Sequence, residues 1–160
     1  MFRRSNPASR LSNTEMKKLE SLWTMVDSAT SARSFGPDPV LNQKIADDIS
    51  NYPNPTIVYE VIRRVRKCFK SSSPTVVMNA LSLTQVLMDS CGVHARGEIG
   101  SEKFMRWMGK LCKIHMSKQD EAWHGVAEYA QDLVENWAER NSRGVRRARI
   151  MRNCETSCVE

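Results

Sequence analysis

Residues 75–92 constrain this chain more than any other stretch. Val76, Val77, Ala80, Leu81, Leu83, Thr84, Leu87, Met88 and Cys91 recur at helical spacing, with no charged side chain before Asp89. Ser73-Pro74 supplies an N-cap and a first-turn proline, and Gly92 is expected to supply a left-handed stop. The segment therefore predicts an amphipathic helix whose apolar side chains need helical partners.

The rest of the chain supplies them. Ser12-Asn13-Thr14-Glu15 reads as a capping box for a helix that buries Met16, Leu19, Leu22, Trp23 and Val26, and residues 31–38 break it. Asp38-Pro39 restarts the chain with Val40, Leu41, Ile45 and Ile49 on one face. Asn54-Pro55 does the same for Ile57, Val58, Val61, Ile62, Val65 and Phe69. Three helices thus share one start signal, a polar cap followed by a proline whose missing N–H costs nothing there. Residues 93–100, with two glycines, are expected to hold only a short helical turn. Ser101 caps a helix with the stripe Phe104, Trp107 or Met108, Leu111, Cys112 and His115. Asp120 begins another through Val126, Ala130, Leu133, Val134 and Trp137, and a last, basic helix is expected over residues 145–153. No strand pattern occurs. Helices joined by short connections pack as antiparallel neighbours, so seven or eight of them predict an all-α, curved stack of helical hairpins.

The length of 160 residues fits one domain. The expected division is a disordered tail over residues 1–11, a helical domain over 12–141, and a basic C-terminal helix and tail over 142–160. The uncharged runs are too interrupted by polar residues to cross a membrane, and the first residues lack the apolar stretch of a secretory signal. Five cysteines, an odd number set mostly in apolar stripes, read as reduced packing thiols, which suits a cytosolic protein.

The net charge of +6 is uneven. Arg140, Arg143, Arg146, Arg147, Arg149 and Arg152 follow one another with no acid between them, and they account for the whole excess. Such a segment can hold anionic lipid head groups or nucleic-acid phosphates, or be simply a solvated tail; of the two partners, nucleic acid is the less favoured. Two further basic stripes lie on helices. Arg63, Arg64, Lys67 and Lys70 form one, away from Val58, Ile62, Val65 and Phe69. Arg106, Lys110 and Lys113 form the second, with Lys103 beside them. Either is also readable as the soluble side of an amphipathic helix.

No catalytic constellation is present: His94, His115 and His124 have no nucleophile elbow or paired carboxylate beside them, and no phosphate-cradling glycine motif occurs. Glu128, Asp132, Glu135 and Glu139 read as a solvated acidic face. Cys91-x-x-His94 and Cys112-x-x-His115 offer zinc-like chemistry, but both cysteines belong to apolar packing patterns, so neither a metal nor any other cofactor is expected. Trp23, Trp107 and Trp137 fit apolar stripes, while Trp123, near a helix start, is weighed between burial and an exposed contact.

The series from Val26-Asp27-Ser28-Ala29-Thr30, through Asp89-Ser90-Cys91-Gly92, to Asp132-Leu133-Val134-Glu135-Asn136-Trp137-Ala138 resembles the VHS domain. The similarity covers about residues 19–140. The resemblance implies a right-handed superhelix of about eight helices of the ENTH/VHS kind, and a non-enzymatic adaptor in endosomal or Golgi sorting, peripheral on endosome or trans-Golgi membranes. It implies as partners cargo sorting-signal peptides, ubiquitinated cargo, or a phosphoinositide membrane surface.

Carried over residue by residue, the position of the ubiquitin-contacting tryptophan is Pro39 and that of its apolar partner Gln43, leaving Val40 and Leu41 as substitutes. An interface without its aromatic anchor typically loses about 2 kcal/mol or more. The acidic-dileucine groove, between the sixth and eighth helices, carries over to Glu102, Lys103, Arg106, Gly109 and Cys112. An acidic peptide is then expected to meet Lys103, Arg106, Lys110, Lys113, Arg146 and Arg149. Anionic membrane is expected to meet Arg63, Arg64, Lys67, Lys70, Arg143, Arg146, Arg147, Arg149 and Arg152. A rival reading, from the similar superhelix of CTD-interacting domains, is a nuclear reader of phosphorylated polymerase tails.

Overall fold

A computed structural model describes residues 11–155, and the side chains of residues 11–141. The sequence expectations for the tail over residues 1–11, Leu11 apart, and for the side chains of Arg143, Arg146, Arg147, Arg149 and Arg152 fall outside the described set. Seven α-helices and no strand occur among the described residues: α1 Asn13–Ala29, α2 Pro39–Ser50, α3 Pro55–Cys68, α4 Pro74–Ser90, α5 Val93–Ile99, α6 Glu102–Cys112 and α7 Glu121–Glu155. A 3-10 turn, Ile114–Met116, lies between the last two.

Local chemistry fixes most of the starts. Ser12 Oγ accepts from the Glu15 N–H at 3.3 Å while the Ser12 N–H donates to Glu15 Oε2 at 2.9 Å, closing the expected capping box on α1. Asp38 Oδ1 accepts from the Leu41 N–H, and Asn54 Oδ1 from the Thr56 N–H, each at 3.0 Å. The third start departs from the pattern. Ser73 makes no side-chain cap on α4, and its own N–H goes back to Ser71 Oγ at 3.1 Å. The proline at the first position and the burial of the helix behind it carry that start instead.

Two expectations are corrected. Gly92 is not a left-handed stop: its φ is −78°, and among the described residues only Gly36 has a positive φ, at 154°. α4 ends because Cys91 turns extended, and α5 begins two residues later at Val93, so Gly92 serves as the N-cap of the next helix. The separate last helix expected over residues 145–153 is the continuation of α7, a single helix of 35 residues, about 50 Å long. The span joining the two expected helices holds no proline, and its one glycine, Gly144, costs a helix only about 1 kcal/mol against alanine.

α4 is the centre of the stack. It packs against α2, α3, α5 and α7, while α1 packs on both α2 and α3, and α6 on α7. Contacts between helices two apart in the chain, α1 with α3, α2 with α4 and α3 with α5, give the superhelical arrangement. Leu19, Leu22 and Val26 of α1, Ile45 and Ile49 of α2, Val61, Ile62 and Val65 of α3, and Val77, Leu81, Leu83 and Leu87 of α4 are buried in one core. Leu11 packs against its edge. Phe69 and Phe104 meet edge to face at 5.4 Å and tie the end of α3 to α6. Tyr129 Oη donates to Gln85 Oε1 at 2.6 Å and fastens α7 to α4. No helix of the described residues is long and apolar enough to cross a membrane.

Candidate binding surface

The basic stripes do not survive as two independent ridges. Arg64 makes a bidentate pair with Asp27 of α1, at 2.9 and 2.6 Å, and its pKa is raised chiefly by that hydrogen bond. Arg63 is held by Glu60 at 2.7 Å and by Glu98 of α5 at 3.5 Å. Arg106 pairs with Glu102 one turn earlier on α6. These three charges are compensated by the domain's own acids, so they attract an outside anion weakly.

The lysines behave differently. Lys67, Lys70, Lys103, Lys110 and Lys113 are exposed and make no ion pair among the described residues. Lys110 Nζ lies 4.3 Å from the centre of the Trp107 ring, and Lys70 Nζ, from the end of α3, lies 5.5 Å from the same ring. The half-buried indole thus gathers one lysine from each stripe onto a single spot. Lys67 lies in the last turn of α3, three residues before Lys70, and Lys113 is the C-cap of α6, three residues after Lys110.

Trp107 was not among the expected binding residues, because the apolar stripe of α6 could be drawn through either Trp107 or Met108. Met108 is the fully buried one. The signal was present in the spacing: Lys103, Trp107 and Lys110 stand at four- and three-residue intervals, so the tryptophan belongs to the basic face as much as to the core.

At the start of α2, Pro39 is exposed and Val40 is 78% exposed, whereas Leu41 leans on the core and Gln43 Nε2 donates to Asp47 Oδ1 at 2.8 Å along its own helix. Only Val40 offers an apolar contact there. At the groove positions of α6, Glu102 is occupied by Arg106. A side chain placed at Gly109 would meet nothing within 4 Å, and the thiol of Cys112 is pushed up in pKa by burial. The two cysteine-histidine spacings are drawn into separate contacts. Cys91 Sγ accepts from the Ser50 hydroxyl at 3.4 Å and donates to the Ala46 carbonyl at 3.6 Å, His94 pairs with Tyr59 Oη at 3.1 Å, and His115 lies against His124. Trp123 is buried, with Lys118 Nζ 4.0 Å from its ring centre.

Residues 16–154 match the VHS domain family. TOM1-like protein 8 of Arabidopsis thaliana is 28% identical over 115 residues, which cover 72% of this chain and 18% of that protein. The Probable ADP-ribosylation factor-binding protein of Schizosaccharomyces pombe is 26% identical over 120 residues, 72% of this chain and 21% of that protein. TOM1-like protein 9 of Arabidopsis thaliana is 27% identical over 115 residues, 72% of this chain and 16% of its own length. The chain therefore spans about a fifth of the length of these curated relatives. No solved structure matches significantly.

Proposed function

The chain belongs to the VHS domain family, and from that premise we propose that it is a non-enzymatic adaptor module of protein trafficking, docking an anionic phosphoinositide membrane surface through the lysines around Trp107. The names of its relatives, TOM1-like proteins and an ADP-ribosylation factor-binding protein, support the trafficking role. The observation that carries the ligand is the convergence of Lys70 and Lys110 on one indole with no acid to compensate them. A phosphorylated head group concentrates several negative charges in a small volume. Ammonium groups are suited to it as point charges, and a half-buried tryptophan is suited to the interfacial layer. The arginines of residues 143–152 extend the same electrostatic attraction along the chain.

A second reading, an acidic cargo peptide lying along α6 past Lys103, Lys110 and Lys113, is favoured by the open space at Gly109, which leaves room for a backbone. Ubiquitin in the mode usual for the family lacks its aromatic anchor at Pro39 and retains only Val40. Amide mapping by NMR separates these readings. A soluble short-chain phosphoinositide is expected to shift Lys70, Trp107 and Lys110 together. Shifts confined to α6 on addition of an acidic dileucine peptide would favour the peptide, and shifts confined to the start of α2 on addition of ubiquitin would favour that partner.

A further inference from the structure

The connection from α3 to α4 runs through Ser71, Ser72 and Ser73, directly after the Lys70 whose ammonium reaches the Trp107 ring. It is folded back on the helix it leaves. The Lys70 N–H donates to the Lys67 carbonyl at 3.2 Å, the Ser71 N–H to the Cys68 carbonyl at 3.0 Å, and the Ser73 N–H to Ser71 Oγ at 3.1 Å. Ser72 is exposed and Ser73 half-buried. Of the three helices that open on a proline, α2 and α3 are capped by the side chains of Asp38 and Asn54, whereas the Ser73 hydroxyl makes no cap on α4. Ser73 is extended, at φ −92° and ψ 118°, because the ring of Pro74 disfavours the helical region for the residue before it. Of the six prolines in the chain, Pro74 alone follows a serine or threonine. No acid occurs between Glu60 and Asp89, so a phosphate at Ser73 would be the first negative charge in that stretch.

We propose that Ser73 is a phosphorylation site, and that a proline-directed serine kinase acting there switches off the docking of the Trp107 lysines on an anionic membrane. This switch rests on the membrane reading above. In the transfer, Ser73 Oγ attacks the γ-phosphorus of ATP, the bond from that phosphorus to the β,γ-bridging oxygen breaks, ADP leaves, and the hydroxyl proton passes to the kinase's general base. The Ser-Pro dipeptide lets such an enzyme choose Ser73 over Ser71 and Ser72, and modification of Ser73 breaks no side-chain cap on α4. The phosphate adds a charge of about −1.5 to −2 at pH 7. Ser73 and Lys70 are three residues apart, so their Cα atoms lie within about 11 Å, comparable to the Debye length of about 10 Å at 0.1 M salt. Lys67 stands a further three residues back. Both lysines are exposed and make no ion pair among the described residues, so a charge of about −2 offsets the pair that they would lend to a membrane. The same phosphate repels the anionic head groups.

The test incubates the whole chain with ATP and a purified proline-directed serine kinase and locates the phosphate by peptide mass spectrometry. Native and phosphorylated chains are then sedimented with phosphatidylcholine vesicles doped with a phosphoinositide, at about 0.1 M salt. Phosphate is expected on Ser73, with the helical circular dichroism kept and vesicle affinity lowered about thirtyfold, the loss that goes with cancelling two positive charges near a membrane surface. Phosphatase treatment should restore binding, and Ser73→Ala carried through the same kinase treatment should bind as the untreated native chain does. The absence of phosphate from Ser73, sedimentation of the Ser73-phosphorylated chain equal to that of the native one, or a loss of helix accompanying the loss of binding each overturns the proposal. A native chain that does not sediment at all overturns the membrane reading together with the switch, whereas failure of the switch alone leaves native sedimentation intact.

Discussion

Replacing Lys70 and Lys110 together by alanine tests whether the charge gathered at Trp107 binds an anionic surface. Each exposed ammonium near such a surface contributes about 1 kcal/mol, so the pair contributes about 2 kcal/mol, roughly a thirtyfold loss of affinity. Neither lysine holds the fold. Both lie on the surface, and what each loses inside the domain is a cation–π contact with Trp107, worth about 0.5–1 kcal/mol at an exposed site. Arg64→Gln is the matched control, because its bidentate pair with Asp27 already compensates the charge that it would lend to a membrane. The assay is co-sedimentation with phosphatidylcholine vesicles doped with a phosphoinositide, at about 0.1 M salt, where the Debye length is about 10 Å and unpaired surface charges still act. Binding should fall about thirtyfold in the double variant and by less than about threefold in Arg64→Gln. If the double variant binds as the native chain does, or if Arg64→Gln weakens binding as much, the distinction between compensated and free cations is wrong.

Charge reversal at Arg146, Arg147 and Arg149 is expected to abolish sedimentation with the same vesicles at moderate salt; unchanged binding would remove that segment from the mechanism. Phe104→Ala, which empties a buried ring packed on Phe69, should lower stability by about 3–5 kcal/mol in urea unfolding, and a loss below about 1 kcal/mol would contradict the packing described. Glu15 has its pKa lowered by the Asn54 side-chain amide and then by the Ser12 N–H and hydroxyl, so its contribution is full above the ordinary glutamate range and fades as the pH falls through its lower folded value. Glu15→Gln should therefore melt below the native chain at neutral pH and converge with it in acid, and a gap that widens in acid would reverse the sign argued.

What could be read in the sequence was what depends on neighbours within one turn. Ser12 with Glu15, Asp38 with Leu41 and Asn54 with Thr56 are pairs two or three residues apart, and the helix starts followed from them. The ends were harder. Gly92 looked like a stop because glycine tolerates a left-handed turn, yet a helix that restarts one residue later needs no such turn. A separate last helix was expected over residues 145–153, yet the one glycine before it, Gly144, is without a proline too small a penalty to break a helix anchored through Tyr129, Leu133 and Trp137.

The same rule of distance explains the binding surface. The Glu102–Arg106 pair is an i,i+4 match that can be counted along α6. Asp27 with Arg64, and Glu98 with Arg63, join residues more than thirty positions apart, so only the packing of α1 and α5 on α3 turns two of the four cations of that stripe inward. The stacking that brings Phe69 onto Phe104 also carries the end of α3 to α6, and with it Lys70 to the ring of Trp107. One apolar contact between helices thus decides where uncompensated charge collects. It follows that shortening Phe104 should disturb the lysine cluster as well as the core, and that the vesicle binding of Phe104→Ala should weaken even at temperatures where the variant remains folded. Undiminished binding by the folded variant would mean that the lysines act independently of the helix pairing that places them.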